Sequence, residues 1–217
     1  MSVTNIKQLE QGSGGLKEEI SDFKRRRICE EACHLFYVNG YEGTTIDAIA
    51  QRLDVTKPFI YSYFKNKSEL LFEICKTGIA HSLEAMELAT LPNKSALDRL
   101  KLIADRVMRI VLSNQEHIVV YQREEKNLEP ELARYIREQR NLFDHQLSNL
   151  LEEGHRAGEF HIEDPVLTAT TLGGMMSWVA FWYSPSGKRA EAEIIAHEMA
   201  MIEAIVVGRD IGVKPTS

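Results

Sequence analysis

The stretch 44–67, Thr44-Thr45-Ile46-Asp47-Ala48-Ile49-Ala50-Gln51-Arg52-Leu53-Asp54-Val55-Thr56-Lys57-Pro58-Phe59-Ile60-Tyr61-Ser62-Tyr63-Phe64-Lys65-Asn66-Lys67, decides the fold. Thr44 and Asp47 stand three apart at the head of a segment whose apolar positions are Ile46, Ile49, Ala50 and Leu53, the spacing of a capping box that opens a short amphipathic helix. Asp54, a residue type that tolerates a left-handed backbone, ends it. Thr56 is placed to cap a second short helix, with Pro58 in the first turn, where a missing N–H costs no hydrogen bond. Helices of about eight residues do not persist alone in water. The pair is therefore expected to pack together on an earlier helix, as a helix-turn-helix.

That earlier helix is expected over Glu19 to Asn39, where Ile28, Ala32, Leu35 and Phe36 recur at helical spacing before the stop at Gly40. On the other side, Asn66 and Glu69 repeat the capping pattern and open a longer helix through Leu70, Leu71, Ile74 and Ile79. After Pro92 the helices lengthen. Ser95 with Asp98, Pro130, and Asp164 with Pro165 mark three starts, and Gly158, the turn Ser184-Pro185-Ser186-Gly187 and Gly208 mark stops. No sustained period-2 alternation and no Asn-Gly or Asp-Gly turn interrupts this pattern. The expected fold is all-α: an N-terminal three-helix helix-turn-helix domain followed by a C-terminal helical bundle.

Charge separates the same two parts. The 217 residues carry 26 Lys and Arg against 32 Asp and Glu, a formal charge of −6 that excludes a uniformly basic nucleic-acid coat. Through Ile79 the count is 11 of each sign, so the deficit lies wholly in the remainder. A local cationic surface on the first part is thus compatible with the total. Three cysteines, Cys29, Cys33 and Cys75, are too few for a disulfide framework and point to a reducing compartment. Residues 1–18 read as a disordered polar arm without the apolar core of a secretory signal, and 211–217 as a tail. The apolar stretch 172–183 is shorter than the roughly 20 residues that span a bilayer. The expected location is the bacterial cytoplasm, with no membrane partner.

On the second short helix, Ile60 and Phe64 face inward, which leaves Pro58, Phe59 and Ser62 outward with Lys57, Tyr61 and Tyr63 at the flanks. An exposed helix with aromatics, hydroxyls and a lysine suits a major groove, where base edges and thymine methyls are read. Rim hydroxyls and lysines, Thr44, Thr45, Tyr61, Lys65 and Lys67, suit phosphates, which fix register without specifying sequence. The run Lys24-Arg25-Arg26-Arg27 is a solvated helix face that also lies near phosphate if the first helix approaches DNA.

Three spaced elements, 40–50, Val55-Thr56-Lys57-Pro58 and 60–70, together resemble the signature of the TetR family of transcriptional regulators over about residues 22–81. The resemblance implies a DNA-binding domain over 19–81, a ligand-binding and dimerisation domain over 82–210, and repression relieved by a small molecule. It places Thr44 and Thr45 at the start of the helix that abuts the backbone. Thr56, Lys57, Pro58, Phe59, Tyr61 and Tyr63 fall at recognition-helix contact positions, and Lys67 at the phosphate-binding lysine. Two departures stand out: Asp54 occupies the usual glycine position, and Phe59 replaces a smaller residue, so no relative's operator transfers. Further on, Gly158-Glu159-Phe160, Asp164 and 173–187 are similar to a branch that controls lipid, steroid or aromatic-acid catabolism, several members of which respond to coenzyme A thioesters. The implied partners are operator DNA, a second copy of the chain, and an apolar effector, with a coenzyme A thioester as one candidate.

The second part is less specific on its own residues. Met86, Met108, Tyr121, Phe143, Met175 and Trp178 suit an adaptable apolar pocket and equally suit an ordinary core. A thioester's phosphates would want Arg106, Arg109, Arg123 or Arg137 at the pocket mouth, although each also suits a solvated face. The last helix bears Ile195, Met199, Ile202 and Val206 on one stripe. With Gly174 and Phe181 of the preceding helix, this stripe is the expected dimer interface, and two-fold symmetry would match paired half-sites. No metal or cofactor is expected: Cys29, Cys33 and His34 lack a second ligand pair, and His117, His145, His155, His161 and His197 show no ligand spacing. No nucleophile elbow, phosphate-cradling loop or carboxylate pair supports an enzyme. The alternatives kept open are a constitutive DNA-binding regulator without an effector and an enzyme on a helical scaffold.

Overall fold

The computed structural model describes the backbone of residues 3–208 and the side chains of 15–208; the expected arm is helical from Val3 onward rather than disordered, and the expected tail lies outside the described residues. Among the described residues every regular element is helical. The order is α1 (Val3–Gly43), α2 (Ile46–Arg52), α3 (Lys57–Tyr61), α4 (Lys67–Ala85), α5 (Ala96–Ser113), α6 (Gln115–Glu124), α7 (Pro130–Arg156), α8 (Pro165–Trp182) and α9 (Glu191–Val207), with short 3-10 turns at Met86–Thr90 and Glu125–Asn127. The chain divides into two compact units, Met1–Ile74 and Cys75–Ser217, with the division inside α4.

In the first unit, Gly40 at φ 75° and ψ 164° breaks α1, a conformation that a side chain would oppose. Ile28, Ala32 and Phe36 of α1 are buried together with Ile49, Ile60, Phe64, Leu70 and Leu71. Full burial of each large aliphatic or aromatic side chain contributes about 1.5–3 kcal/mol, enough to hold helices that are marginal alone. The turn between α2 and α3 is made by Asp54 at φ 54°, the left-handed residue the sequence calls for. Capping differs by one residue from expectation. Thr45, not Thr44, is the N-cap of α2, its Oγ1 accepting from Ala48 N at 3.1 Å.

In the second unit α8 packs on α7 and α5, and α9 packs on α5. Side-chain caps fix the helix starts. Ser95 Oγ accepts from Asp98 N at 3.0 Å, and Asp164 Oδ1 accepts from Val166 N and Leu167 N at 2.9 Å each. Glu159 reaches back to α5, accepting from Ala96 N at 3.2 Å and Leu97 N at 3.0 Å. Phe160 beside it is buried against Gly154, where a Cβ would stand 2.2 Å from the ring. Arg99, itself buried, binds both carboxylate oxygens of Glu153 and donates to Ala89 O at 2.7 Å. These hydrogen bonds, above all, hold the Glu153 carboxyl below its ordinary pKa.

The outer faces of α8 and α9 are apolar. Val166, Leu167, Trp178, Phe181 and Trp182 on α8 and Met201, Ile205 and Val207 on α9 are exposed, with Trp178 stacked on Phe181 at 4.7 Å. The stripe expected to meet a second subunit sits elsewhere: Ile195, Ile202 and Val206 are buried within the chain's own core, and Met199 is half-buried. Helix α9 is apolar around most of its circumference, so the choice of inward face is made by the α5 surface rather than by the stripe. Gly174 and Phe181 are exposed, and Gly174 has no intrachain neighbour within 4 Å of a Cβ position.

Candidate nucleic-acid interface and ligand cavity

Helix α3 presents the expected outward face. Thr56, Lys57, Pro58, Tyr61 and Ser62 are exposed, and Phe59 and Tyr63 are half-buried, their rings 5.2 Å apart. Tyr61 is 46% exposed, leaving its hydroxyl able to reach a phosphate. Lys57 Nζ donates to Asp47 Oδ2 at 2.7 Å, which ties the start of α3 to α2 and raises the ammonium pKa, chiefly through that hydrogen bond. From α1, Lys24 Nζ stands 5.8 Å from the Phe59 ring centre, and Arg25 Nη1 donates to Tyr63 O at 2.5 Å.

Two expected phosphate ligands prove to be structural as well as superficial, or structural only. Thr44 is 1% exposed, and its hydroxyl lies within hydrogen-bond distance of Gly40 O at 2.9 Å and Leu35 O at 3.1 Å. Its proton is directed inward to the end of α1, so a rim role for Thr44 is replaced by closure of that helix. Lys67, half-buried, donates to Tyr41 O at 2.8 Å and Thr44 O at 3.1 Å. An ammonium has three protons, so a phosphate remains within its capacity. Thr45 stays exposed at the N-terminus of α2.

The second unit contains a cavity of about 520 Å³, of a size that accommodates a small molecule. Ile79 of α4, Val107 and Val111 of α5, Ile118 of α6, Phe143 of α7 and Met176 of α8 supply its apolar wall. Of the six expected pocket residues, Tyr121 and Phe143 line it. The others do not: Met86 and Met108 are buried in the core, Met175 is half-buried off the wall, and Trp178 lies on the outer face of α8. The arginines expected at its mouth are also absent from the lining. Arg109 is engaged with Asp105 through two bonds of 2.9 Å, and Arg123 with Glu124 at 3.0 Å.

The cation on the wall is Arg140, which donates to Tyr121 Oη at 3.3 Å and lies 3.8 Å from Glu125. Asp144, also on the wall, has its pKa raised by burial, with Arg140 opposing the shift. Tyr121 is likewise raised, mainly by burial. The cavity thus joins an apolar side to a polar corner from α6 and α7. Elsewhere, burial pushes the Cys29 and Cys75 thiols up to about 12, which leaves them protonated and poor nucleophiles. Among the described residues no cluster of three His, Cys, Asp or Glu is placed to hold a metal, and no helix is long and apolar enough to cross a membrane.

A helix-turn-helix with an exposed aromatic and cationic helix, followed by a helical unit that encloses a cavity, defines a ligand-responsive DNA-binding transcriptional regulator. Residues 28–74 match the bacterial regulatory proteins of the tetR family, and residues 93–206 match the tetracyclin repressor-like C-terminal domain. The chain belongs to the TetR family of transcriptional regulators. It is 25% identical over 187 residues to the fatty acid metabolism regulator protein of Bacillus subtilis strain 168, covering 85% of this chain and 95% of that one. A tetR-family regulatory protein from Rhodococcus RHA1 superposes with a TM-score of 0.78 at 27% identity, covering 84% of this chain and 96% of that one. AibR, solved with isovaleryl coenzyme A and operator DNA, shares the fold at a TM-score of 0.73 and 23% identity, covering 82% and 97%.

Proposed function

We propose that the protein is a homodimeric repressor, acting in the bacterial cytoplasm and at the nucleoid, that leaves its operator when an acyl coenzyme A thioester enters the second unit. Residues 19–81 would serve DNA binding and 82–210 sensing and dimerisation. The observation that carries the effector assignment is the cavity of about 520 Å³, with an apolar wall for an acyl chain and Arg140, Tyr121 and Asp144 at one corner for polar groups. Support comes also from the likeness to the fatty acid metabolism regulator and to AibR, solved with isovaleryl coenzyme A.

Helix α4 begins at Lys67 and supplies Gly78, Ile79 and Ser82 to the cavity lining, so an occupant bears directly on the helix that leads out of the DNA-binding part. By linkage, an effector that weakens DNA binding by some factor is itself bound more weakly on DNA by the same factor. A coupling of about 1–3 kcal/mol suffices for a change of roughly 5- to 150-fold. Exposed large apolar side chains on α8 and on α9, with Trp178 stacked on Phe181, support dimerisation, since monomers rarely leave large apolar patches open.

The test uses isovaleryl and palmitoyl coenzyme A against the protein bound to a duplex selected from a random pool. Release from DNA together with a raised melting temperature is expected for at least one of the two. If neither thioester shifts melting or releases DNA, the effector assignment falls. Light scattering that finds a monomer at micromolar concentration would remove the dimer.

A further inference from the structure

We infer that α1 carries a second phosphate-contacting surface, formed by Lys17 and Lys24, that extends the DNA interface beyond the helix-turn-helix. The starting point is the place of Lys24. Its ammonium stands 5.8 Å from the ring of Phe59, on the exposed side of α3, while Arg25 next to it is bound to Tyr63 O at 2.5 Å and lies 4.5 Å from the Phe64 ring centre. Helix α1 is therefore held beside the middle of α3 and the turn that follows it. A lysine held beside a residue that faces a major groove is beside the phosphates that border the groove.

Helical phase decides which charges share that side. At about 100° per residue, Lys17 lies within about 20° of Lys24, two turns and about 10 Å away along the axis. Glu18, Glu19 and Asp22 lie about 120° or more from Lys24 on the same wheel. Those three acidic residues are thus turned away from the side on which the two lysines are aligned, and Glu31, which shares that side one heptad further on, is neutralised by Arg27 at 3.2 Å and Arg52 at 2.6 Å. Arg26 falls with the acids, about 160° from Lys24. Lys17, Lys24 and Arg26 are all exposed, and the other two arginines of the run are engaged: Arg25 as described, and Arg27 with Glu30 at 2.6 Å and Glu31 at 3.2 Å. Among the described residues of this segment, Lys17 and Lys24 are thus the basic side chains directed to the DNA side and not held by a carboxylate. Lys24 adjoins the face of α3 at Phe59, and the charge of the two lysines complements a backbone that carries one negative charge per about 1.7 Å of duplex axis.

The experiment measures affinity by fluorescence anisotropy for a duplex of about 30 base pairs that the full-length wild-type chain enriches from a random pool, between about 50 and 200 mM KCl. Removing one phosphate contact flattens the slope of log affinity against log salt by about 0.9. Lys17→Ala and Lys24→Ala are each expected to flatten it by that amount, and the double variant by about twice as much. Lys24→Arg keeps the wild-type slope, and Arg26→Ala, which removes the same charge from the far side, leaves it unchanged. All these residues are exposed, and circular dichroism melting should be the same for every variant. Wild-type slopes for both lysine variants, or an equal flattening in Arg26→Ala, would overturn the inference.

Discussion

Lys67 donates to the carbonyl oxygen of Tyr41 at 2.8 Å while its ammonium lies 4.1 Å from the centre of the Tyr41 ring. With its second bond to Thr44 O, one side chain from the start of α4 fastens both ends of the segment that leads into α2. Lys67→Ala is therefore expected to act twice. It should lower stability by about 1.5–3 kcal/mol, the range for hydrogen bonds to a charged group. It should also weaken binding to all DNA sequences and flatten the salt dependence, as removal of a phosphate ligand does. Chemical denaturation and DNA titration separate the two; wild-type values in both would show that neither role is real.

Asp47 of α2 places a carboxylate against Lys57 at the start of the exposed helix α3, at 2.7 Å. Asp47→Asn removes one negative charge and releases Lys57 toward the phosphates. Exposed ion pairs contribute little to folding, so melting should barely change. Affinity for duplexes of arbitrary sequence should rise, and the salt slope should steepen by up to about 0.9. An unchanged slope would mean that Lys57 already meets DNA with Asp47 attached.

Gly154 is required by Phe160. A Cβ at residue 154 would lie 2.2 Å from two ring carbons and 3.0 Å from Ala96 Cβ. Overpacking of this kind costs about 1–3 kcal/mol, and Gly154→Ala should lose that much in urea unfolding. Combining it with Phe160→Leu should recover part of the loss, because the ring atoms in conflict are gone. Additive losses in the double variant would place the cost elsewhere than between these two residues.

The Glu153 pair gives a pH dependence with a fixed sign. Arg99 holds the folded carboxyl below its ordinary value, so the unfolded chain takes up this proton first as pH falls. The stabilising contribution is complete above the ordinary glutamate range, about 4.3, and is lost as pH drops through the lower folded value. The melting difference between wild type and Glu153→Gln should be constant near neutrality and shrink below about pH 4. A difference that grew on acidification would contradict the arrangement.

Gly173 gives a way to fill the cavity from its wall. A Cβ there would meet only Asp144 Oδ1 at 3.6 Å and Phe143 Cε1 at 3.8 Å, ordinary van der Waals distances. Gly173→Leu is expected to fold, to bind DNA as wild type does, and to lose release by whichever thioester acts on the parent. Retained release would show that the effector sits elsewhere.

The readability of these features in the sequence depended on how local their causes are. Asp54, Pro58, Ser95 and Asp164 act on their own turns, and each does in the structure what its residue type requires. Thr44 and Thr45 were harder to separate, because both precede the same apolar stripe; the acceptors at Leu35 and Gly40 that draw Thr44 inward lie nine and four residues back. On α9, apolar residues surround the helix, so periodicity could not distinguish Ile195, Ile202 and Val206, which are buried, from Met201 and Ile205, which are not. The polar corner of the cavity was least legible. Arg140 and Asp144 are one turn apart on a long helix rich in charged residues, where spacing alone suggests a solvated face, and only the packing of α7 against α8 turns them to the cavity.

The exposed rings on α8 also make the protein its own spectroscopic probe. Its two tryptophans, Trp178 and Trp182, are 60% and 49% exposed on one helix, and the DNA-binding unit contains none. Indole emission therefore reports on the surroundings of α8 alone. In the isolated chain it should peak at long wavelength, as for water-exposed indole, and shift to the blue when another surface covers the helix. Dilution followed by fluorescence would thus read subunit association without a label, and operator binding would leave the signal still unless it reached that face.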